Sequence, residues 1–106
     1  MKYGDFVTIV TSGDYGKPRP ALIIQSDVFA AIPSLTVLPL TSEIHDEYLV
    51  RLTIQPNKRN GLKAPSQIMV DKITTLPKTK IGQVIGHAET ATMQYVKAAL
   101  KQFLNV

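Results

Sequence analysis

Residues 16–27 read GKPRPALIIQSD, an apolar run that turn-forming residues bound on both sides. Because proline fixes φ and pushes the preceding residue toward extended backbone, Lys17 and Arg19 are expected to be extended. Pro20 suits the first residue of a strand, where no ladder donor is needed. The stretch therefore predicts a short buried strand over Ala21–Gln25, with Arg19 held on stiff backbone just before it.

Similar short segments follow one another along most of the chain, separated by turns that contain Gly and Pro. Their alternation and β-branched residues predict a strand in each, five to seven in all. These segments are Asp5–Val10, Leu35–Thr41 and Glu47–Ile54, then SQIMV at 66–70, KITTLP at 72–77 and KIGQVIG at 80–86. Pro39, inside the second of them, indicates an edge strand or a bulge.

The last part of the chain has a different periodicity. From Glu89 to Leu104, apolar residues recur at three- and four-residue spacing, which corresponds to one face of a helix. These residues are Met93, Val96, Leu100, Phe103 and Leu104. Short strands followed by one helix predict a mainly β (α+β) fold: a small twisted β-barrel with a C-terminal amphipathic helix packed on it.

Length and composition predict one folded domain over residues 1–106. Hydrophobic residues make up 44% of the chain and charged residues 19%, a composition that supports a core and argues against disorder. The chain has no cysteine, which excludes disulfides and thiolate sites, and two histidines are too few for a histidine-built zinc site. With no apolar run of membrane-spanning length and no signal-peptide core, we expect a soluble, cytoplasmic protein.

The charge is basic, since twelve Lys and Arg against eight Asp and Glu give a net charge of +4. This balance favours an anionic partner, either nucleic acid or an acidic protein. The cations also concentrate in predicted loops, in the pairs Lys17 with Arg19, Lys58 with Arg59, and Lys78 with Lys80.

Polar residues stand at the ends of three predicted strands, where loops can bring them into one cleft. They are Arg19, Thr41 with Ser42, and Ser66 with Gln67 and Asp71. Arg19 is the strongest candidate, because a guanidinium stays charged and binds phosphate through a planar fork. Thr41 and Ser42 offer donors to a phosphate or an oxyanion, but they equally suit a turn that caps the strand. Asp71 is either a base or a turn residue, and His45 is either an acid–base group or an idle surface residue.

The order of motifs resembles that of the MazF/PemK family, the toxins of bacterial type II toxin–antitoxin pairs. The matching stretches are GDFVTIV at 4–10, GDYGKPRPALIIQSD at 13–27, TVLPLTS at 36–42, NGL at 60–62 and SQIMVDKITTL at 66–76, followed by the helical tail. The resemblance implies an SH3-like barrel that forms a homodimer and cleaves single-stranded RNA with no metal or cofactor. The basic charge adds the expectation of an acidic cognate antitoxin.

On this resemblance, Arg19 matches the catalytic arginine of the family and Thr41 matches its partner threonine. Asp71 matches the family's aspartate, but Met69 stands where some members carry an arginine. The Arg-x-Asp pair of those members therefore cannot be assigned here. Acid–base or supporting roles are predicted for Ser42, Asp71 and His45. RNA contacts are predicted for Tyr15, Lys17, Tyr48, Ser66 and Gln67.

The implied reaction is attack of a ribose 2′-OH on the adjacent phosphorus, giving a 2′,3′-cyclic phosphate and a 5′-hydroxyl. Arg19 would neutralise the charge that develops on the phosphorane, and Thr41 would orient the phosphate. Two other functions stay open on this fold: a DNA gyrase poison resembling CcdB, and a non-catalytic binding barrel. The absence of tryptophan counts against the gyrase poison, whose inhibitory contact depends on a tryptophan-containing tail.

Overall fold

The computed structural model describes residues 1–11 and 16–106, which contain seven antiparallel strands and one α-helix. The strands are β1 (Asp5–Ile9), β2 (Arg19–Ile23), β3 (Ser34–Thr41), β4 (Arg51–Ile54), β5 (Ser66–Met69), β6 (Thr74–Pro77) and β7 (Ile81–His87). The helix, α1, spans Thr90–Leu104. Short 3₁₀ turns lie at Asp27–Phe29, Val70–Lys72 and Lys78–Lys80. The predicted mainly β fold with a C-terminal helix is confirmed.

The strands form a bent sheet in the order β4-β5-β3-β2-β1-β7, with β6 also paired to β3. Strand β3 pairs with β2 along one side, and along the other side with β6 at residues 34–37 and with β5 at residues 40–41. Pro39 lies in the gap between these last two ladders, where its missing N–H interrupts neither. The prediction of an edge strand at Pro39 was therefore wrong, because the change of partner allows a proline inside a central strand.

Alternation along the strands gives the sheet two buried faces. One face packs against α1, and its buried residues include Phe6, Leu22, Leu38, Ile68 and Val70 with Met93, Val96 and Ala99 of the helix. The other face buries Val7, Ile9, Ala21, Ile23, Leu35 and Val37. At the end of α1 the predicted apolar face is only partly used, since the side chains of Phe103 and Leu104 remain exposed.

Strand β4 begins later than the alternation predicted, at Arg51 instead of Glu47. The backbone turns just before it, where the N–H of Arg51 donates to the carbonyl oxygen of Tyr48 at 3.3 Å. Residues 42–50 consequently form a connecting segment between β3 and β4. No helix in the described parts of the chain is long and apolar enough to cross a membrane.

The NGL motif at 60–62 fixes the turn that follows β4. The buried side chain of Asn60 accepts from the N–H groups of Asn57 and Leu62 and donates to the carbonyl oxygen of Gln55, at 2.9–3.1 Å. Gly61 has a φ of +68°, and a Cβ at this position would lie 1.9 Å from the carbonyl oxygen of a β7 residue. Only glycine allows this approach of the turn to β7.

We therefore expect Gly61→Ala to lower the free energy of unfolding by about 3 kcal/mol or more, since it combines a strained φ with a backbone clash. Gly16→Ala is a matched control, because Gly16 also has a positive φ, +79°, but a Cβ added there would have no atom of residues 1–11 or 16–106 within 4 Å. Its cost should be about 1–2 kcal/mol. Urea unfolding of both variants measures the difference, and equal costs would show that the approach to β7 does not matter.

Candidate functional site

Four polar residues are aligned across the sheet by the pairing of its strands. The β2–β3 register places Ala21 opposite Pro39, and continuing it by two residues brings Arg19 opposite Thr41. Thr41 is in turn paired with Gln67 of β5, and Gln67 with Thr53 of β4. Directly opposed residues of antiparallel strands point to the same face. We call Arg19, Thr41, Gln67 and Thr53 the polar row.

Arg19 and Thr41 occupy the adjacent ends of β2 and β3. Arg19 is exposed, and the prolines on both sides of it restrict its backbone. The hydroxyl oxygen of Thr41 accepts from the N–H of Glu43 at 3.1 Å, so the strand-capping role predicted for this residue is observed. A hydroxyl that accepts still carries its own proton, which leaves Thr41 able to donate to a ligand.

Gln67 is buried and ties the 42–50 segment to the polar row. Its side-chain oxygen accepts from the N–H of His45 at 3.0 Å, and its NH₂ group donates to the carbonyl oxygen of His45 at 3.3 Å. The same NH₂ group donates to the hydroxyl of Thr53 at 3.1 Å. Gln67 was predicted as an RNA contact, but in the structure its polar atoms hold the backbone of the segment above it.

The imidazole of His45 lies between two carboxylates of its own segment. Its Nδ1 is 3.0 Å from Glu47 and its Nε2 is 3.4 Å from Glu43. Two hydrogen bonds lower the pKa of Glu47: one from the backbone N–H of Glu47 itself and one with the side chain of His45. The imidazole also lies against the ring of Tyr48, with the centroids 5.4 Å apart. The imidazole is thus held by Glu47 and Tyr48, on the segment whose backbone is bonded to Gln67.

Asp71 forms a two-point ion pair with Arg51, a residue that the sequence did not single out. Nε and Nη2 of Arg51 donate to the two carboxylate oxygens at 3.0 and 3.1 Å. The hydrogen bonds from Arg51 lower the pKa of Asp71, which makes it a weaker base than an ordinary aspartate. The same guanidinium lies over the ring of Tyr48, 4.5 Å from its centroid. The sequence could have indicated Arg51, because the alternation in β4 places it on the same face of the sheet as Thr53.

Arg19 also lines a cavity of about 450 Å³. Ser42 and Ser66 line it, together with Lys63 and Gln83, which the sequence did not single out. The hydroxyl of Ser66 donates to the carbonyl oxygen of Ala64 at 2.9 Å. The two serines therefore share this cavity with Arg19, the first residue of the polar row.

The predicted site residues thus fall into three groups. The first group consists of Arg19, Thr41 and Gln67 in the polar row, with His45 and Tyr48 in the 42–50 segment and Asp71 beside it. The second group is Ser42 and Ser66, which line the cavity. The third is Lys17, which is exposed two residues before Arg19. The prediction for Tyr15 lies outside the described residues. Within residues 1–11 and 16–106 no group of three or more His, Asp or Glu side chains could hold a metal ion.

The sequence and the fold both match known proteins. A family model described as PemK-like, MazF-like toxin of type II toxin–antitoxin system matches residues 2–104. The chain is 40% identical over 107 residues to the probable endoribonuclease MazF of Mycolicibacterium smegmatis, covering 100% of this chain and 98% of that protein.

Two solved structures have a similar fold. One is the Mycobacterium tuberculosis toxin MazF-mt6, with a TM-score of 0.79, 23% identity, and coverage of 94% of this chain and 96% of that one. The other is a chain of the MazE–MazF crystal structure from Deinococcus radiodurans, with a TM-score of 0.81, 18% identity, and coverage of 100% and 96%. These likenesses confirm the barrel-like architecture predicted from the sequence.

The ion pair of Asp71 predicts a pH-dependent contribution to stability. The lowered pKa of the folded state means that the contribution is present above the ordinary value of 3.8 and is lost as the pH falls through the folded pKa. We expect Asp71→Asn to cost about 1–3 kcal/mol at pH 7, because it leaves Arg51 without its carboxylate. The cost should shrink as the pH falls below 3.8 toward the lowered folded pKa.

Urea unfolding of wild type and variant at several pH values checks this expectation. Asp46→Asn is the control, because Asp46 is an exposed carboxylate in the 42–50 segment. A cost for Asp71→Asn that is the same at pH 7 and pH 3 would contradict the assigned ion pair.

Proposed function

The chain belongs to the PemK-like, MazF-like family of toxins of type II toxin–antitoxin systems, and from this membership we propose that it is an endoribonuclease that cleaves single-stranded RNA. The observation that supports this most directly is the antiparallel pairing of β2 with β3, which brings Arg19 at the start of β2 and Thr41 at the end of β3 to adjacent strand ends. A fixed cation beside a hydroxyl donor suits a phosphate whose charge increases during the reaction.

In the proposed reaction, the ribose 2′-OH attacks the neighbouring phosphorus and the 5′-oxygen leaves. Arg19 neutralises the extra negative charge on the phosphorane and passes a proton to the leaving 5′-oxygen, and water then returns a proton to the guanidinium. Thr41 donates its hydroxyl proton to a non-bridging oxygen and so orients the phosphate. The products are a 2′,3′-cyclic phosphate and a 5′-hydroxyl. Since Arg19 supplies the positive charge, the scheme requires neither a metal nor a cofactor.

The proton of the attacking 2′-OH needs an acceptor near the polar row. Of the two acid–base candidates, Asp71 is engaged at both oxygens by Arg51, which weakens it as a base. The backbone of His45 is bonded to Gln67, the neighbour of Thr41 in the polar row. We therefore assign the acceptor role to Nε2 of His45, because Nδ1 is the nitrogen that is hydrogen-bonded to Glu47, and a supporting role to Asp71.

We further propose that the protein acts in the cytoplasm, where mRNA is present, and that an acidic cognate antitoxin inhibits it. The net charge of +4 supports an acidic partner. A homodimer is proposed as well, because the helix end exposes a group of apolar side chains that a second copy would cover. These are Phe103, Leu104 and Val106.

Single-turnover cleavage of a long single-stranded RNA in the presence of chelator tests the function directly. We expect Arg19→Ala to slow cleavage at least about 10²- to 10³-fold, because it removes a charged donor at the developing charge. Arg19→Lys should restore little, since an ammonium lacks the planar fork. Thr41→Ala should cost less, about 10-fold, because it removes one neutral hydrogen bond.

Arg59→Ala is the matched control, because Arg59 is also an exposed arginine but lies in the turn after β4. Circular dichroism verifies the fold of each variant. A folded Arg19→Ala protein that cleaves nearly as fast as wild type would overturn the proposed mechanism. RNA that is bound but stays intact would indicate a binding barrel, and inhibition of gyrase with intact RNA would indicate the CcdB-like alternative.

Antitoxin binding provides a separate prediction. If complementary charge contributes to the complex, the affinity of the cognate antitoxin should fall at least about tenfold between roughly 50 mM and 500 mM NaCl, and the bound antitoxin should block cleavage. Titration calorimetry at several salt concentrations measures the first effect, and the cleavage assay measures the second. Salt-independent binding that leaves cleavage unchanged would argue against this mode of inhibition.

A further inference from the structure

The 42–50 segment presents apolar side chains to solvent beside the polar row. Leu49 is 90% exposed, Tyr48 47% and Ile44 39%. The segment also contains three acidic residues, so it exposes apolar side chains although its sequence is not apolar throughout. Exposed apolar groups next to a polar site are typical of a surface that receives a ligand.

This segment is anchored to the sheet at two points. The first is the backbone of His45, which exchanges two hydrogen bonds with the buried amide of Gln67. The second is the side chain of Tyr48, whose ring lies over the guanidinium of Arg51 at 4.5 Å. Two anchors on neighbouring strands fix both the path of the backbone and the tilt of the ring.

Arg51 is itself held rigidly. Its side chain is only 8% exposed, and it donates from Nε and Nη2 to the two oxygens of Asp71. The planar fork of an arginine allows few orientations once both bonds are made. The guanidinium therefore holds the Tyr48 ring from one side, and the imidazole of His45 also contacts the ring, at 5.4 Å between centroids. The part of the Tyr48 side chain that stays exposed is left to meet a ligand.

The position of this ring suits a base near the cleaved bond. Neighbouring strands are about 4.8 Å apart, so Gln67, two strands from Arg19, lies roughly 10 Å from it along the polar row. The segment anchored at Gln67 is thus within reach of a nucleotide close to a phosphate at Arg19. Unstacked bases of single-stranded RNA bind by stacking on aromatic rings.

We propose that Arg51 is a positioning residue that holds Tyr48 as a stacking platform for an RNA base next to the cleaved bond. The inference rests on the proposed function, because it assumes that RNA lies along the polar row. Arg51 itself does not touch the reacting atoms. Its loss should therefore weaken RNA binding and raise KM, with little change in kcat.

The test is a double-variant cycle on RNA affinity, measured with a mixed-sequence RNA in which every 2′-OH is methylated. This probe cannot be cleaved, so binding is read separately from the chemistry. We expect Tyr48→Ala to weaken binding about 5- to 100-fold, the range for loss of one stacked base. Tyr48→Phe should bind like wild type, and Tyr95→Ala, which removes an exposed tyrosine of α1, should also bind like wild type.

Arg51→Lys keeps the charge but loses the fork, and we expect it to weaken binding about 5- to 10-fold. In the double variant Tyr48→Ala with Arg51→Lys, the two losses of RNA affinity should not multiply. Without support from Arg51, the ring of Tyr48 has already lost most of its contribution to binding. Losses that multiply fully, an Arg51→Lys protein with wild-type affinity, or a fall in kcat at constant KM would each overturn the proposal. If Arg51→Lys does not fold, Tyr48→Leu serves instead, and wild-type affinity for it would exclude stacking.

Cleavage of unmodified RNA by the same proteins separates this proposal from the proposed function. Wild type that binds the methylated RNA but leaves unmodified RNA intact would refute the proposed function, while the binding cycle would still decide the role of Arg51. A second test measures the RNA affinity of the double variant Arg51→Met with Met69→Arg. Met69 is the cross-strand partner of Arg51, so the exchanged arginine would supply its guanidinium from the same face of the sheet. Recovery of at least half of the lost affinity supports positioning, and no recovery counts against it.

Discussion

The pairing register of β2 on β3 is the constraint on which the rest of the site depends. A slip of one residue would turn every side chain of one strand to the other face, separating Arg19 from Thr41. The same slip would turn Ala21 and Ile23 out of the smaller core toward the face that packs against α1, so that neither core would keep its packing. The burial of apolar residues therefore fixes the alignment of the two polar ones, and the stability of the fold and the geometry of the site have one cause.

The two faces of β3, β5 and β4 have different roles. One face packs against α1, where residues such as Ile68 are fully buried. The other carries the polar row and the 42–50 segment. Because the helix supports these strands from behind, the side chains of the row project from rigid elements, which holds them more accurately than loops alone would.

Buried polar groups attach the 42–50 segment to this rigid sheet. Every buried side-chain nitrogen and oxygen in the described residues has a hydrogen-bond partner, and Gln67 shows why this matters. Its amide would be costly to bury alone, so the backbone of His45 is held where it satisfies that amide. The ion pair of Arg51 with Asp71 adds a second attachment. A segment without regular secondary structure is thereby given one conformation beside the site.

The sequence by itself determined the strands, the helix and the candidates Arg19 and Thr41, because alternation, helical spacing and proline geometry are local and can be read residue by residue. It also carried the motif order that identified the family. The tertiary structure alone decided that β4 begins at Arg51, that Pro39 lies between two partner strands, and that Arg51 meets Asp71. Each of these depends on contacts between segments far apart in the chain, such as the ion pair of Arg51 with Asp71, which are separated by 20 positions. No local pattern records such contacts, because they exist only once the strands have paired.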